Sequence, residues 1–173
     1  MGYTIKKLIT FITAFTFMFL LIQNYYMTDL KSSYKIINEH NIIIEYHKGK
    51  LDVGSYIKFK EKTFNDKDFK TGLNYLIHFK NVTFLTSQED IQKFVNFIKN
   101  NAPKLGKRKV ALVTSTPNQV VTTTIYKTML TDIEQQVVVF STIDTALNWL
   151  TSNPLNTKEL IDLVKATEKE IEG

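Results

Sequence analysis

Tyr75-Leu-Ile-His-Phe-Lys-Asn-Val-Thr-Phe-Leu-Thr-Ser-Gln-Glu-Asp90 is the stretch whose reading decides the fold. It opens as an apolar run of strand length, passes through a short crossing loop, and ends in Thr86-Ser-Gln-Glu89, a helix start in which Thr86 caps and Glu89 reaches back. Beyond it Ile91, Phe94, Val95 and Ile98 recur at the spacing of one face of an amphipathic helix. A buried strand feeding directly into a helix is the repeating unit of an α/β sheet. The hydroxyl pair Thr86 and Ser87 therefore falls at the strand-to-helix junction where such folds gather function.

The pattern repeats on both sides. Upstream, Tyr34-Lys-Ile-Ile-Asn-Glu39 and Ile42-Ile-Ile-Glu-Tyr-His47 flank His40-Asn41 and predict a β-hairpin with a polar two-residue turn. Apolar residues at 53, 56, 57, 59 and 64 among lysines predict a helix starting near Asp52. Downstream, Lys109-Val-Ala-Leu-Val-Thr-Ser115 reads as a strand, and Thr116-Pro117-Asn118-Gln119 supplies a helix with a cap, a first-position proline and a returning glutamine. Gln136-Val-Val-Val-Phe140 is another strand and 142–150 another helix. A last helix spans 157–171, with Asn156 and Glu159 as its capping pair. The order β-β-α-β-α-β-α-β-α plus a terminal helix predicts an α/β fold with a mainly parallel central sheet and an N-terminal hairpin.

With 173 residues, 43% of them apolar, the chain has material for one domain with a core plus appendages. We expect an apolar segment over 1–30, an α/β domain over 31–152 and an amphipathic C-terminal helix over 153–173. The 22 Lys+Arg against 17 Asp+Glu give +5, spread among acidic residues. Arg108 is the single arginine, so the bidentate forks of nucleic-acid readers are missing and no nucleic-acid partner is expected. Lys104-Leu-Gly-Lys-Arg-Lys109 reads as the solvated lead-in to a strand. The absence of cysteine excludes disulfides, thiolate metal sites and cysteine nucleophiles.

Residues 8–28 are 21 consecutive positions without a charge. As a helix they span about 30 Å, the thickness of a bilayer core. Lys6 and Lys7 precede the run, Tyr25 and Tyr26 follow it, and no small-residue cleavage site is present, so residues 8–26 predict an uncleaved membrane anchor. Two alternatives stand beside it. Thr10, Thr13 and Thr16 share a helical face that suits packing on protein, and a translation start at Met27 would leave a cytoplasmic chain.

No dinucleotide or phosphate-loop glycine pattern is present, and no cofactor or metal is expected. His40 reads as a turn residue, His47 as a strand-end residue and His78 as a strand residue facing a helix layer; none has metal-ligand spacing. Ser87 and Ser115 follow strands but lie outside a nucleophile-elbow motif. Ser87 admits two readings. With Thr86 it belongs to a helix cap, and a phosphate there would be favoured by the free N–H groups and the helix dipole while changing a docking surface.

Leu76-Ile-His-Phe-Lys-Asn-Val-Thr-Phe-Leu-Thr-Ser87 resembles the strand-loop-helix core of anti-sigma-factor antagonist (STAS) domains. More broadly, about 110 residues, from Asn41 to Leu150, resemble the SpoIIAA-like (STAS/SEC14-type) small bacterial proteins, through the opening hairpin, the strands near Leu73 and Lys109, Val139-Phe140 and Ala146-Leu-Asn-Trp-Leu150. The resemblance implies a STAS-like single domain, non-enzymatic and regulatory, with a protein partner docking around Thr86 and Ser87, and it allows a homodimer. Its SEC14 side implies instead a binder of a small apolar ligand or lipid at a membrane. The family's Asp-Ser pair and following glycine are replaced here by Thr86-Ser87-Gln88-Glu89, which departs from the phosphoswitch pattern.

Overall fold

A computed structural model describes residues 29–151 and 155–172. Its centre is one five-stranded sheet in the order β1-β2-β3-β4-β5. The strands are β1 (Lys31–Ile37), β2 (Ile42–Leu51), β3 (Asn74–Phe84), β4 (Arg108–Val113) and β5 (Gln135–Phe140). β1 pairs antiparallel with β2, and every later neighbour is parallel. The helices are α1 (Val53–Phe64), α2 (Gln88–Asn100), the single turn α3 (Ala102–Leu105), α4 (Pro117–Met129), α5 (Ile143–Leu150) and α6 (Leu155–Glu172). This is the α/β architecture expected from the sequence, with its N-terminal hairpin and mainly parallel sheet.

Each parallel strand is added on the same side of the previous one. Right-handed crossovers repeated in one direction must all pass over one face, and α1, α2 and α4 share one core. That core contains Ile43, Tyr56, Phe64, Tyr75, Ile77, Phe79, Val110 and Leu112. The strands alternate, so Ile42, Ile44, Leu76, Ala111 and Val113 point the other way. The last two helices cover them with Ala146, Leu147, Leu150, Leu160 and Val164.

The structure departs from the expected elements in four places. The hairpin turn is a 3₁₀ turn over Asn38–His40 closed by Asn41 in the left-handed region (φ 52°), so Ile37 faces Ile42 across four residues instead of two. The loop expected within 75–90 is strand: β3 continues to Phe84, paired with Leu51. It does so because β2 runs alongside it as far as Leu51 and Val82 stays buried between exposed Asn81 and Thr83. The cap of α2 lies one residue on, at Ser87. Finally, α6 begins at Leu155, which puts Asn156 inside the helix. Among the described residues no helix is long and apolar enough to cross a membrane, and the apolar segment 8–26 lies outside them.

Candidate functional site

Between the sheet and the α1, α2 and α4 layer lies a cavity of about 70 Å³. A water needs about 10–15 Å³ measured this way, so the space admits several waters or part of a small ligand. Its walls are mainly apolar, with Phe64, Ile77, Phe79, Phe94, Ile98 and Leu112 prominent. The lining runs from buried Tyr75 and Arg108 to half-buried Val53, Phe84, Thr86 and Asp90, where α1 and α2 begin.

Three polar residues enter this apolar space from different elements. Tyr75 is the second residue of β3 and projects to the same face as Ile77 and Phe79. Its ring is shared by two cations, with Lys60 Nζ 4.4 Å and Arg108 Cζ 5.9 Å from its centroid. Its hydroxyl is buried and has no hydrogen-bond partner. Burial first, then Glu45, pushes this hydroxyl well above the ordinary phenol range, so it remains a neutral donor.

Arg108 opens β4. The tight turn before it needs Gly106, where φ is 64° and an added Cβ would lie 2.6 Å from Thr71 Cγ2. The guanidinium donates from Nη1 to the Gly106 carbonyl (3.1 Å) and from Nη2 to Gln135 Oε1. It is 6% exposed, yet among the described residues no carboxylate pairs with it. Burial pulls it down from its ordinary value.

Lys60 differs in this respect. It sits on the apolar stripe of α1 between Tyr56 and Phe64, and its ammonium donates to both oxygens of Glu45 at 2.7 and 2.9 Å. Burial pushes the Glu45 carboxyl up, but the Lys60 ammonium and His47 override it and hold the carboxyl below the ordinary range. His47, stacked 5.3 Å from Phe79, has Nδ1 2.7 Å from Ser32 Oγ and Nε2 3.5 Å from Glu45. Ser32, His47 and Glu45 share the connectivity of a serine triad. The negative charge that would support an imidazolium is already compensated by Lys60, however, and neither Ser32 nor His47 lines the apolar cavity.

The sequence-predicted pair is split by the fold. Thr86 turns inward, and its shielded hydroxyl, also without a partner, lines the cavity. Ser87 turns outward and caps α2: its Oγ accepts from the Asp90 N–H (3.1 Å), while Asp90 Oδ2 accepts from the Ser87 N–H (3.1 Å) and Oγ (3.0 Å). The capping box is therefore Ser87 with Asp90, in place of Thr86 with Glu89. It forms because an extended residue at 87 (φ −79°, ψ 171°) brings the third helical position, Asp90, within reach. The expected Thr116, Pro117 and Gln119 start of α4 is present as read, and Gln119 further donates to the Lys80 and Val82 carbonyls.

Ser115 donates to the Lys80 carbonyl, and among the described residues no histidine is hydrogen-bonded to Ser87 or Ser115. His47 is fully buried in mid-strand, a correction to its reading as a strand-end residue; Ile43, Glu45 and His47 alternate onto the face covered by α1, α2 and α4. His40 lies in the turn, and His78 faces α6, with Nδ1 3.1 Å from Glu168. The cavity residues Tyr75, Arg108 and Lys60 escaped the sequence reading. Their signal was a polar or charged residue at an apolar-phase position, as with Lys60 four residues from both Tyr56 and Phe64.

No family model matches the chain, and no curated protein matches it. Among solved structures, an uncharacterized protein of the DUF3478 family with a SpoIIAA-like fold, from Shewanella loihica PV-4, is similar. It has 16% identity and a TM-score of 0.48, covering 70% of this chain and 93% of that one.

Proposed function

We propose that the chain is a non-enzymatic binding domain whose ligand is a small, largely apolar molecule seated in part in the cavity beneath α1, α2 and α4. One observation carries this reading. The cavity holds two shielded hydroxyls, Tyr75 and Thr86, with no protein partner, and a buried hydroxyl left unpaired costs about 1–3 kcal/mol. A ligand bearing one polar group among apolar atoms would remove that cost at one of them. Titration of the full chain with 1-octanol, followed by calorimetry, is expected to show saturable binding. Ile98→Trp, which fills the cavity, is expected to weaken it at least about tenfold. Undiminished binding in that variant would place the ligand elsewhere.

A second reading is a regulatory protein-docking surface around Ser87. It is favoured by Leu85, 54% exposed two residues before the cap, and by Val120 and Val121 on α4, 43% and 57% exposed. Both helices start at the carboxyl ends of parallel strands, so these side chains lie at one end of the sheet. A phosphate on Ser87 would face the Asp90 carboxylate now bonded to its Oγ, so modification would open the cap, a device worth about 1 kcal/mol. Quantitative pull-downs with wild type, Leu85→Glu and Ser87→Asp are expected to lose the same partners in both variants. An unchanged partner set would remove this reading.

A further inference from the structure

The cavity carries an electrical imbalance that an apolar ligand alone does not resolve. Two cations border it, and each is nine-tenths or more buried: Lys60 at 3% exposure and Arg108 at 6%. Buried charges in proteins are ordinarily paired. Glu45 pairs with Lys60 through both oxygens and is thereby used up. Asp90, the acidic residue in the cavity lining, is committed at the α2 start to Ser87 and to Lys93 (3.2 Å). Arg108 has only neutral acceptors, a carbonyl and an amide oxygen. These engage two of the five N–H donors of a guanidinium, and the rest have no protein acceptor among the described residues. The Arg108 Cζ lies 5.9 Å from the centroid of the Tyr75 ring, whose orphan hydroxyl has a proton free to donate.

We propose that the ligand is a monocarboxylate with a compact apolar body, its carboxylate accepting from the Arg108 guanidinium and the Tyr75 hydroxyl. This rests on the cavity reading above. One uncompensated positive charge is matched by one negative charge. The planar guanidinium fork suits the two oxygens of a carboxylate, and Tyr75 supplies a third donor from the side. The apolar body then lies along Phe64, Phe94 and Ile98 toward Thr86. Lys60 is not the recognition cation, because Glu45 already holds it.

The test compares octanoate with 1-octanol, equal in chain length and different in charge, by calorimetric titration of the full chain. Octanoate is expected to bind at least about tenfold more tightly, as a charge-assisted bidentate contact implies. Arg108→Gln, which keeps a side-chain amide near Gln135, is expected to bring octanoate down to the level of 1-octanol while changing the alcohol by less than about twofold. Tyr75→Phe is expected to cost octanoate about five- to tenfold. Equal affinities of the wild-type chain for acid and alcohol would overturn the carboxylate assignment and leave the apolar cavity reading standing. Failure of both to bind would remove the two together. The wild-type comparison tests the preference for a carboxylate without relying on the folding of any variant.

Discussion

Replacing Glu45 by alanine is expected to lower the free energy of unfolding by about 3–5 kcal/mol, the cost of leaving a buried partner charge uncompensated. That is a large share of the ~5–15 kcal/mol that holds an ordinary domain together. The reason is the position of the pair. Glu45 is 0% and Lys60 3% exposed, and the ammonium makes both of its strong contacts, 2.7 and 2.9 Å, to the one carboxylate. Removing the acid strands a cation among Tyr56, Phe64 and Tyr75, whose ring faces soften the loss without replacing an anion. Urea unfolding followed by circular dichroism measures the effect. The double replacement Glu45→Leu with Lys60→Met is expected to recover most of it, because an ion pair exchanged for packed apolar groups is often near neutral. A Glu45→Ala loss below about 1 kcal/mol, the level of an exposed pair, would show that the charges are not held as described.

Acid is expected to destabilise the fold as the pH falls from about 6.5 toward about 4. His78 is 4% exposed, and burial, with Lys80 and His47 adding to it and Glu172 opposing, pushes its pKa down from 6.5 to about 4. Burial likewise pushes His47 down, against the pull of Glu45. The unfolded chain takes up these protons near pH 6.5, whereas the folded one refuses that of His78 until about pH 4. The unfolded state thus binds more protons within this window, and stability falls as the pH drops through it. For His78 the loss is at most about 3 kcal/mol. The depressed Glu45 carboxyl acts in a separate range: its contribution is present above the ordinary value of 4.5 and is lost as the pH falls through its lower folded pKa. Urea midpoints at roughly pH 7 and pH 4.5 are expected to differ less in His78→Leu than in wild type. Equal differences would acquit this imidazole.

Most of the architecture was legible because its signals are local. Asp52 caps α1, Thr116, Pro117 and Gln119 start α4, and Ile91, Phe94, Val95 and Ile98 mark the inner side of α2, all within a few residues of one another. What was not legible depends on distant partners. The run from Lys80 to Thr83 looks like a loop until β2 is known to continue alongside it to Leu51. The choice between Thr86 and Ser87 as cap turns on one residue of register. The charged interior was hidden for the same reason: Glu45 stands in an isoleucine run and Lys60 lies 15 residues on in a lysine-rich helix, so neither announces that the other neutralises it. Arg108 was read as part of a solvated basic run, and only the turn at Gly106 swings it under the helices.

The one-sided crossovers impose an order on assembly. Ile42, Ile44, Leu76, Ala111 and Val113 belong to strands that leave the ribosome first, yet the side chains that shelter them come from α5 and α6, which follow every strand of the sheet. Until those helices arrive, the sheet is clothed on one side and bare on the other, the kind of exposed apolar surface that invites aggregation in a partly made chain. The two helices that follow β5 thus close a face that the strands alone leave open. A chain stopped after β5 would be an unfinished molecule with a sticky back, and not a smaller version of the same domain.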